Sequence, residues 1–370
     1  MYPALAVQQA LAEHRVAQGE ILHTLWIGGD RGMEQELVEK AGIPFRAIPA
    51  AGVHGVGLRA LPGNLTRLAQ GVVAARRVLA EFDPEVLFFT GGYVAPPVAL
   101  AGRTRPIVMF VPDIEPGLAL KTVARFADRI AVAVEDSRRY FSDQSKVVVT
   151  GYPTRPDLAA WLPVKAERPK ALQALDLNAD LPTLLIVGGS SGARSLNLAT
   201  LAVLEDLLSE MQVVHLTGQL DWETVKSKRA ALSPNLQANY RPYPYLHDRM
   251  GAALCAADLA LSRAGASTLG EFPLFGLPAI LVPYPHAWRY QKQNADYLVG
   301  RGAAELLDDS ALGAELLARI RALMADENRR SDMAQAMRAL TVPGAALNIA
   351  RLLQDLSGAP GEFALERPND

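Results

Sequence analysis

Little in this sequence pulls toward an extreme, and each absence narrows the field. Cysteine occurs once, at Cys255 inside the apolar run 252–257, which excludes a disulfide within the chain and reads as a buried structural thiol. Neither sign of charge dominates, because 37 Lys and Arg face 39 Asp and Glu for a net charge of −2. That balance argues against a nucleic-acid binder working through a broad basic surface, so no nucleic-acid partner is expected. No apolar run approaches the roughly 20 residues of a membrane-spanning helix, and no basic-then-apolar leader opens the sequence. A cytoplasmic protein, soluble or peripheral to a membrane, fits these absences.

Half of the 370 residues are apolar, enough for two domains that each bury a core. The most informative stretch is 183–197. An unbroken apolar run (Leu184, Leu185, Ile186, Val187) predicts a strand buried on both faces. It breaks into Gly188, Gly189, Ser190, Ser191 and Gly192 before a helical pattern starts at Ala193. Glycines let backbone approach an anion, serines add donors, and a helix N-terminus presents free N–H groups, so this loop is suited to a pyrophosphate. The same spelling also serves as a tight strand-to-helix connection.

Around it, strand and helix patterns alternate. The chain opens on a helix near Pro3, and strands are expected at 22–28, 45–49, 86–90, 107–111, 130–134 and 147–150, with helices at 31–40, 64–81 and 118–127. Such alternation gives a mostly parallel sheet covered on both faces. From 156 to 182 the strand pattern lapses among prolines and charges, which reads as a linker with a short helix possible at 169–175. Strands resume at 183–188, 212–216, 238–243, 259–262, 279–283 and 303–307. The expected domains are therefore 1–155, joined by a closing helix at 345–356, and 183–344, with 358–370 as a frayed tail.

Five ordered motifs carry a resemblance to the MurG family: Pro3-Ala4-Leu5-Ala6-Val7, Gly91-Gly92-Tyr93-Val94, Gly151-Tyr152-Pro153-Thr154-Arg155, the loop 188–194, and 263–278. The resemblance implies an α/β fold of the GT-B class, two Rossmann-like domains facing a cleft. It also implies an inverting transfer of N-acetylglucosamine from UDP-N-acetylglucosamine to a lipid-linked muramyl-peptide at an anionic inner-membrane surface. Carried over by position, Ser190, Ser191 and Gly192 resemble the pyrophosphate loop and Glu271 the ribose ligand. Arg263 and Gly265 fall where the family lines the nucleotide pocket, the backbone near Leu246 meets the uracil, and Gln291 and Asn294 match the stretch that reads sugar hydroxyls. Arg155 falls at a hinge near the donor. No Asp-x-Asp triplet occurs, so neither a phosphate-bridging metal nor a cofactor is expected; helix N-termini and arginine would neutralise the diphosphate.

The sequence departs from the family pattern in its acceptor half. The family's opening strand and Gly-rich loop ending in His have no counterpart before the Pro3 helix, which leads to an expectation that translation begins upstream and that the first half has a groove where a strand belongs. The family's His-Glu-Gln-Asn is replaced by Phe110-Val111-Pro112-Asp113, with Glu115 nearby. Asp113, Glu115 or His54 are the candidate bases, while either carboxylate equally suits a loop or a helix cap. Leu58, Leu61, Leu65, Leu68 and Val72 recur at helical spacing beside Arg59, Arg67, Arg76 and Arg77, which suits a helix on an anionic lipid surface as well as a core helix with basic flanks. Competing readings are a UDP-sugar epimerase or hydrolase on the same fold, a homologue with another acceptor, and a donor-binding scaffold without turnover.

Overall fold

The computed structural model describes residues 1–30, 34–51, 61–189, 192–285 and 290–358. Packing divides the chain into two compact units: Met1–Arg155 with the C-terminal part from Val342, and Pro156–Thr341.

The first unit runs α1 (Tyr2–Ala17), β1 (Trp26–Gly29), α2 (Gln35–Lys40), β2 (Phe45–Ile48), α3 (Leu61–Phe82), β3 (Leu87–Phe89), α4 (Ala95–Ala101), β4 (Ile107–Val111), α5 (Leu118–Val123), β5 (Arg129–Val132) and β6 (Val147–Val149). Pro3 sits in the first turn of α1, where a missing N–H costs no helical bond. Every strand pairing is parallel, yet the strands form two separate ladders, β1-β2 and β3-β4-β5-β6. The expected strand at 22–28 starts only at Trp26, whose amide donates to the Pro44 carbonyl at 2.9 Å. β2 begins at Phe45, so residues 22–25 have no ladder to join on that side, and they line a cavity instead.

The second unit runs α6 (Val164–Ala174), β7 (Thr183–Val187), α7 (Arg194–Ala202), α8 (Leu204–Glu210), β8 (Gln212–Leu216), α9 (Trp222–Ala230), α10 (Pro234–Ala238), β9 (Tyr240–Tyr243), α11 (Met250–Ala256), β10 (Leu259–Ser262), α12 (Glu271–Phe275), β11 (Ala279–Leu281), α13 (Tyr290–Val299), β12 (Ala304–Leu306), α14 (Leu312–Ala325) and α15 (Glu327–Arg338). Its six strands make one parallel sheet in the order β12-β11-β10-β7-β8-β9. β7 is central, flanked by β10 and β8, and Leu184, Leu185 and Ile186 are wholly buried. The core gathers Leu196, Leu204, Val213, Leu261, Ile280 and Leu316 around that strand.

The stretch 156–182 is mostly ordered secondary structure belonging to the second unit. A 3-10 turn at Pro156–Trp161 leads into α6, which continues through Pro169. Burial explains this: Leu158, Ala171, Leu172 and Leu175 are in the core, and the Cys255 thiol donates to the Val164 carbonyl at 3.6 Å. Trp161 packs so closely on α11 that a Cβ at Gly251 would lie 2.3 Å from its ring. A prolines-and-charges reading sees the breakers and misses these apolar anchors, whose packing outweighs one absent helical bond. The last helix, α16 (Ala345–Ser357), returns to the first unit and packs along α1.

Candidate sugar-nucleotide site

In the second unit the chain leaves β7 through a glycine turn and enters α7. The Gly188 amide donates to the Leu216 carbonyl at 3.3 Å, so the turn is fastened to the end of β8. A Cβ on Gly192 would stand 2.4 Å from the Thr217 carbonyl oxygen, and its φ is +81°. Glycine is required there both by contact and by backbone conformation. Ala193 at the N-cap gives no side-chain cap to α7, so its first N–H groups open toward the turn. Ser190 and Ser191 lie outside the described residues.

The remaining expected donor residues divide by what they touch. Arg263, 6% exposed, is fully engaged within the protein. Its guanidinium pairs with Asp309 at 2.6 Å, donates to Ser195 Oγ at 2.6 Å and to the Val282 carbonyl at 3.0 Å, and stacks over Tyr284. It therefore ties β10, β11 and α7 together. Asn294 is completely buried, and its amide donates to the Ala264 carbonyl at 3.1 Å. Gln291, half-buried at the start of α13, accepts the Tyr284 amide at 2.8 Å. Both amides thus shape backbone that borders the turn after β10. Gly265, half-buried, opens a 3-10 turn held by Thr268 Oγ1, which donates to the Gly265 carbonyl at 2.7 Å. Glu271 is half-buried as the first residue of α12, and Leu246 is buried beyond β9. Ser262, Val187 and Leu216 end adjacent strands, so the turns that follow them emerge at the carboxyl edge of the sheet, where open α/β sheets bind ligands.

Behind the glycine turn lies a buried polar chain that sequence reading did not find. Asn197 Nδ2 donates to the Thr217 carbonyl and to Asp221 Oδ2, both at 2.8 Å. Its Oδ1 faces His215 Nε2 at 3.0 Å, and His215 Nδ1 faces the Tyr240 hydroxyl at 2.8 Å. Since the Asn197 oxygen only accepts, Nε2 carries the proton and Nδ1 accepts from Tyr240, which fixes a neutral imidazole. Burial pushes the His215 pKa down to about 3 and raises that of Tyr240. The chain joins α7 to β8 and β9 and so holds the turn's far wall. Its one sequence signal was a histidine within the otherwise apolar centre of β8.

In the first unit, Asp113 is half-buried just past the end of β4. Glu115 is 1% exposed and accepts from Lys121 Nζ at 3.1 Å, an ion pair with the helix that follows. Arg155 lies over the ring of Tyr2 at 5.3 Å. His54 falls outside the described residues, as do Leu58 and Arg59. The apolar stripe on α3 proves divided: Ala75 and Leu79 are core, Leu68 and Val72 are half-buried, and Leu65 is 50% exposed. Arg67 is held by both oxygens of Asp30 at 2.6 Å, whereas Arg76 and Arg77 are exposed. Among the described residues no helix is long and apolar enough to cross a membrane, and no cluster of His, Cys, Asp and Glu is arranged to hold a metal ion.

The two units correspond to two halves of one enzyme family. The profile of the glycosyltransferase family 28 N-terminal domain matches residues 1–132, and that of its C-terminal domain matches 183–349. A protein of Roseiflexus sp. (strain RS-1) named UDP-N-acetylglucosamine--N-acetylmuramyl-(pentapeptide) pyrophosphoryl-undecaprenol N-acetylglucosamine transferase is 39% identical, over 96% of this chain and 92% of its own. A relative of the same name from Desulforamulus reducens is 35% identical over 96% and 95%. The chain belongs to the MurG family. The crystal structure of Acinetobacter baumannii MurG superposes with a TM-score of 0.70 at 28% identity, covering 96% of this chain and 95% of that one. A UDP-GlcNAc 2-epimerase from Neisseria meningitidis reaches 0.64 over 95% and 96%, but at 13% identity it speaks for the fold alone. The fold class is GT-B, with two Rossmann-like α/β domains, as MurG likeness implied.

Proposed function

We propose that this chain transfers N-acetylglucosamine from UDP-N-acetylglucosamine to a lipid-linked muramyl-peptide, as the names of its MurG-family relatives state for them. The observation that carries the reading is near-full-length identity of 39% joined to the Gly188–Gly192 turn opening on an uncapped helix. The leaving UDP places its diphosphate against that turn, with Ser190 and Ser191 as hydroxyl donors and the start of α7 opposing the negative charge. Glu271 accepts the ribose hydroxyls, and the backbone near Leu246 meets the uracil. Gly265 lines the nucleotide, while Arg263, Gln291 and Asn294 act one step back, by holding the turns that touch it. Arg155 is assigned to the donor side.

On the acceptor side, Asp113 is the preferred base. It stands at the carboxyl end of a parallel strand and is half-buried, whereas Glu115 is sealed from solvent against Lys121. His54 is the remaining candidate. The acceptor hydroxyl loses its proton to the base as its oxygen forms a bond to the sugar C1; the C1–O bond to UDP breaks on the opposite face and the configuration inverts. The lipid part of the acceptor places the protein at the cytoplasmic membrane surface, with the exposed end of α3 as the contact.

Incubation with radiolabelled UDP-N-acetylglucosamine and lipid-linked acceptor in detergent tests the reading. Label entering the lipid fraction in step with UDP release is expected; an epimerised sugar, or UDP release with no labelled lipid, overturns it. Asp113→Asn is expected to lower kcat about 10²–10⁴-fold with unchanged UDP affinity, and Glu115→Gln to change turnover far less. The reverse pattern would assign the base to Glu115.

A further inference from the structure

Asp309 and Ser195 take no part in the donor site proposed above, yet both hold Arg263. Asp309 opens a short 3-10 turn, Asp309–Ala311, between β12 and α14, and the α14 residues Leu312 and Leu316 anchor that turn in the core. Its Oδ1 accepts from Ser195 Oγ at 2.7 Å and from the Arg263 guanidinium at 2.6 Å. Arg263 Nη2 in turn donates to Ser195 Oγ at 2.6 Å, so the three side chains form a closed ring. A hydroxyl has a single proton; here it goes to the carboxylate and leaves the oxygen lone pairs for the guanidinium. Charge-assisted bonds of this length are strong ones, and the Asp309 and Arg263 side chains that make them are only 21% and 7% exposed.

The ring matters because of where Ser195 stands. It is the second residue of α7, so its own amide is among the first-turn N–H groups that have no partner within the helix. Two residues further on, Asn197 is held by the Thr217 carbonyl and by Asp221. Residues two apart stand about 200° apart around a helix axis, so these two side chains stay the first turn of α7 from nearly opposite sides. Ser195 ties it toward the ends of β10 and β12, and Asn197 toward the end of β8, which lies across β7 from them. With both ties made the first turn cannot roll about its axis, and its free N–H groups keep a single aim.

We propose that Asp309, acting through Ser195 and Arg263, is a positioning residue that sets how strongly this site prefers a nucleoside diphosphate to the bare nucleoside. The inference rests on the diphosphate seat assigned above to the glycine turn, and deepens it. Asp309 fixes Ser195, and Ser195 fixes the N–H groups that oppose the phosphate charge. The same carboxylate gives the buried Arg263 its counter-charge, which keeps that side chain as the strut between β10 and α7.

UDP affinity measured by calorimetry and uridine affinity measured by ligand-observed NMR, both on the full chain, test this. In Asp309→Asn and in Ser195→Ala, UDP binding is expected to weaken about tenfold while uridine binding changes less than about twofold. The double variant is expected to lose no more than Asp309→Asn alone, because the two residues act as one unit. Asp308→Asn removes the same charge from the exposed neighbouring position and is expected to leave both affinities unchanged. Should Asp309→Asn fail to melt cooperatively, Ser195→Ala carries the test, since it leaves the Arg263–Asp309 pair in place. A UDP-to-uridine ratio preserved in the folded variants overturns the inference, and so does tighter UDP binding in Asp309→Asn or an equal loss in Asp308→Asn. Unsubstituted protein that binds uridine as tightly as UDP overturns the diphosphate seat itself, and the inference with it.

Discussion

The chain builds the same kind of layered α/β unit twice, and the two differ at their centres. In the second unit β7 is clamped by β8 and β10 and launches the glycine turn and α7 from the middle of a six-stranded sheet. In the first, the corresponding middle is a cavity between the two ladders β1-β2 and β3-β4-β5-β6, lined in part by α1. Central strands do two things in such a fold: they carry apolar side chains that bury on both faces, and they deliver the loop that meets the ligand. The second unit does the first, and its central strand leads into the turn proposed for the second. Of the residues proposed for the donor, Arg263 and Asn294 are accordingly locked by buried contacts, whereas those proposed for the acceptor side stand on a divided sheet.

The largest effect that sharpens this contrast is pH. His215 is neutral in the folded protein with a pKa near 3, while an unfolded histidine titrates near 6.5. The folded pKa is the lower one, so below about pH 6.5 the unfolded chain binds the extra proton and stability falls as pH drops toward 3. The loss approaches about 1.4 kcal/mol per pH unit, roughly 3–5 kcal/mol in total. Urea unfolding at pH 7, 5 and 4 is expected to show it in the second unit, and His215→Leu is expected to flatten the slope while lowering stability at pH 7. An equal slope in that variant would place the acid sensitivity in the carboxylates.

Gly192→Val comes next. A Cβ there meets the Thr217 carbonyl at 2.4 Å with φ at +81°, and strain of this kind costs about 1–3 kcal/mol before any ligand is considered. UDP affinity measured by calorimetry is expected to fall about a hundredfold or more, with the first unit's exchange rates unchanged. Unaltered affinity in a folded variant would remove the turn from the donor site. Glu271→Ala is expected to weaken UDP binding by about 1.5–3 kcal/mol through loss of charge-assisted bonds to ribose. A matching loss with a deoxyribose nucleotide, which has fewer hydroxyls to lose, would point to a structural role for Glu271 instead.

What was legible in the sequence follows the same division. Strands such as Ile107–Val111 and Thr183–Val187 were readable because unbroken or nearly unbroken apolar runs have few other uses. The glycine turn was readable because its spelling answers to backbone sterics, and the MurG likeness because its motifs are spaced along most of the chain. The buried chain from Asn197 to Tyr240 was not, since it assembles residues from α7, β8 and β9 that periodicity cannot bring together. Arg263 and Asn294 are a middle case. Their positions were legible, but only coordinates reveal that their polar atoms are turned onto Asp309, Ser195 and Ala264. The helix at 164–174 was underestimated because Leu158, Ala171 and Leu172 gain their helix-stabilising contacts from α11, far along the chain.

The smallest effect concerns α3, where one apolar stripe has two fates. Toward its C-terminal end Ala75 and Leu79 are core, so substitution there would report on folding rather than on a surface. Near its start Leu65 is half exposed, and Arg76 and Arg77 add exposed positive charge further along, while Arg67 is occupied by Asp30. Apolar area and basic side chains each favour an anionic lipid surface, at about 1 kcal/mol per basic residue near it. Leu65→Glu is therefore expected to reduce sedimentation with vesicles containing anionic lipid by severalfold, and Arg76→Gln with Arg77→Gln to reduce it further at low salt. Neither change is expected to alter UDP affinity, because the residues proposed for the nucleotide stand in the other unit, apart from Arg155, which lies outside α3. Sedimentation that is unchanged by Leu65→Glu and insensitive to salt would return this end of α3 to an ordinary solvated face, and the membrane contact would have to be sought elsewhere in the first unit.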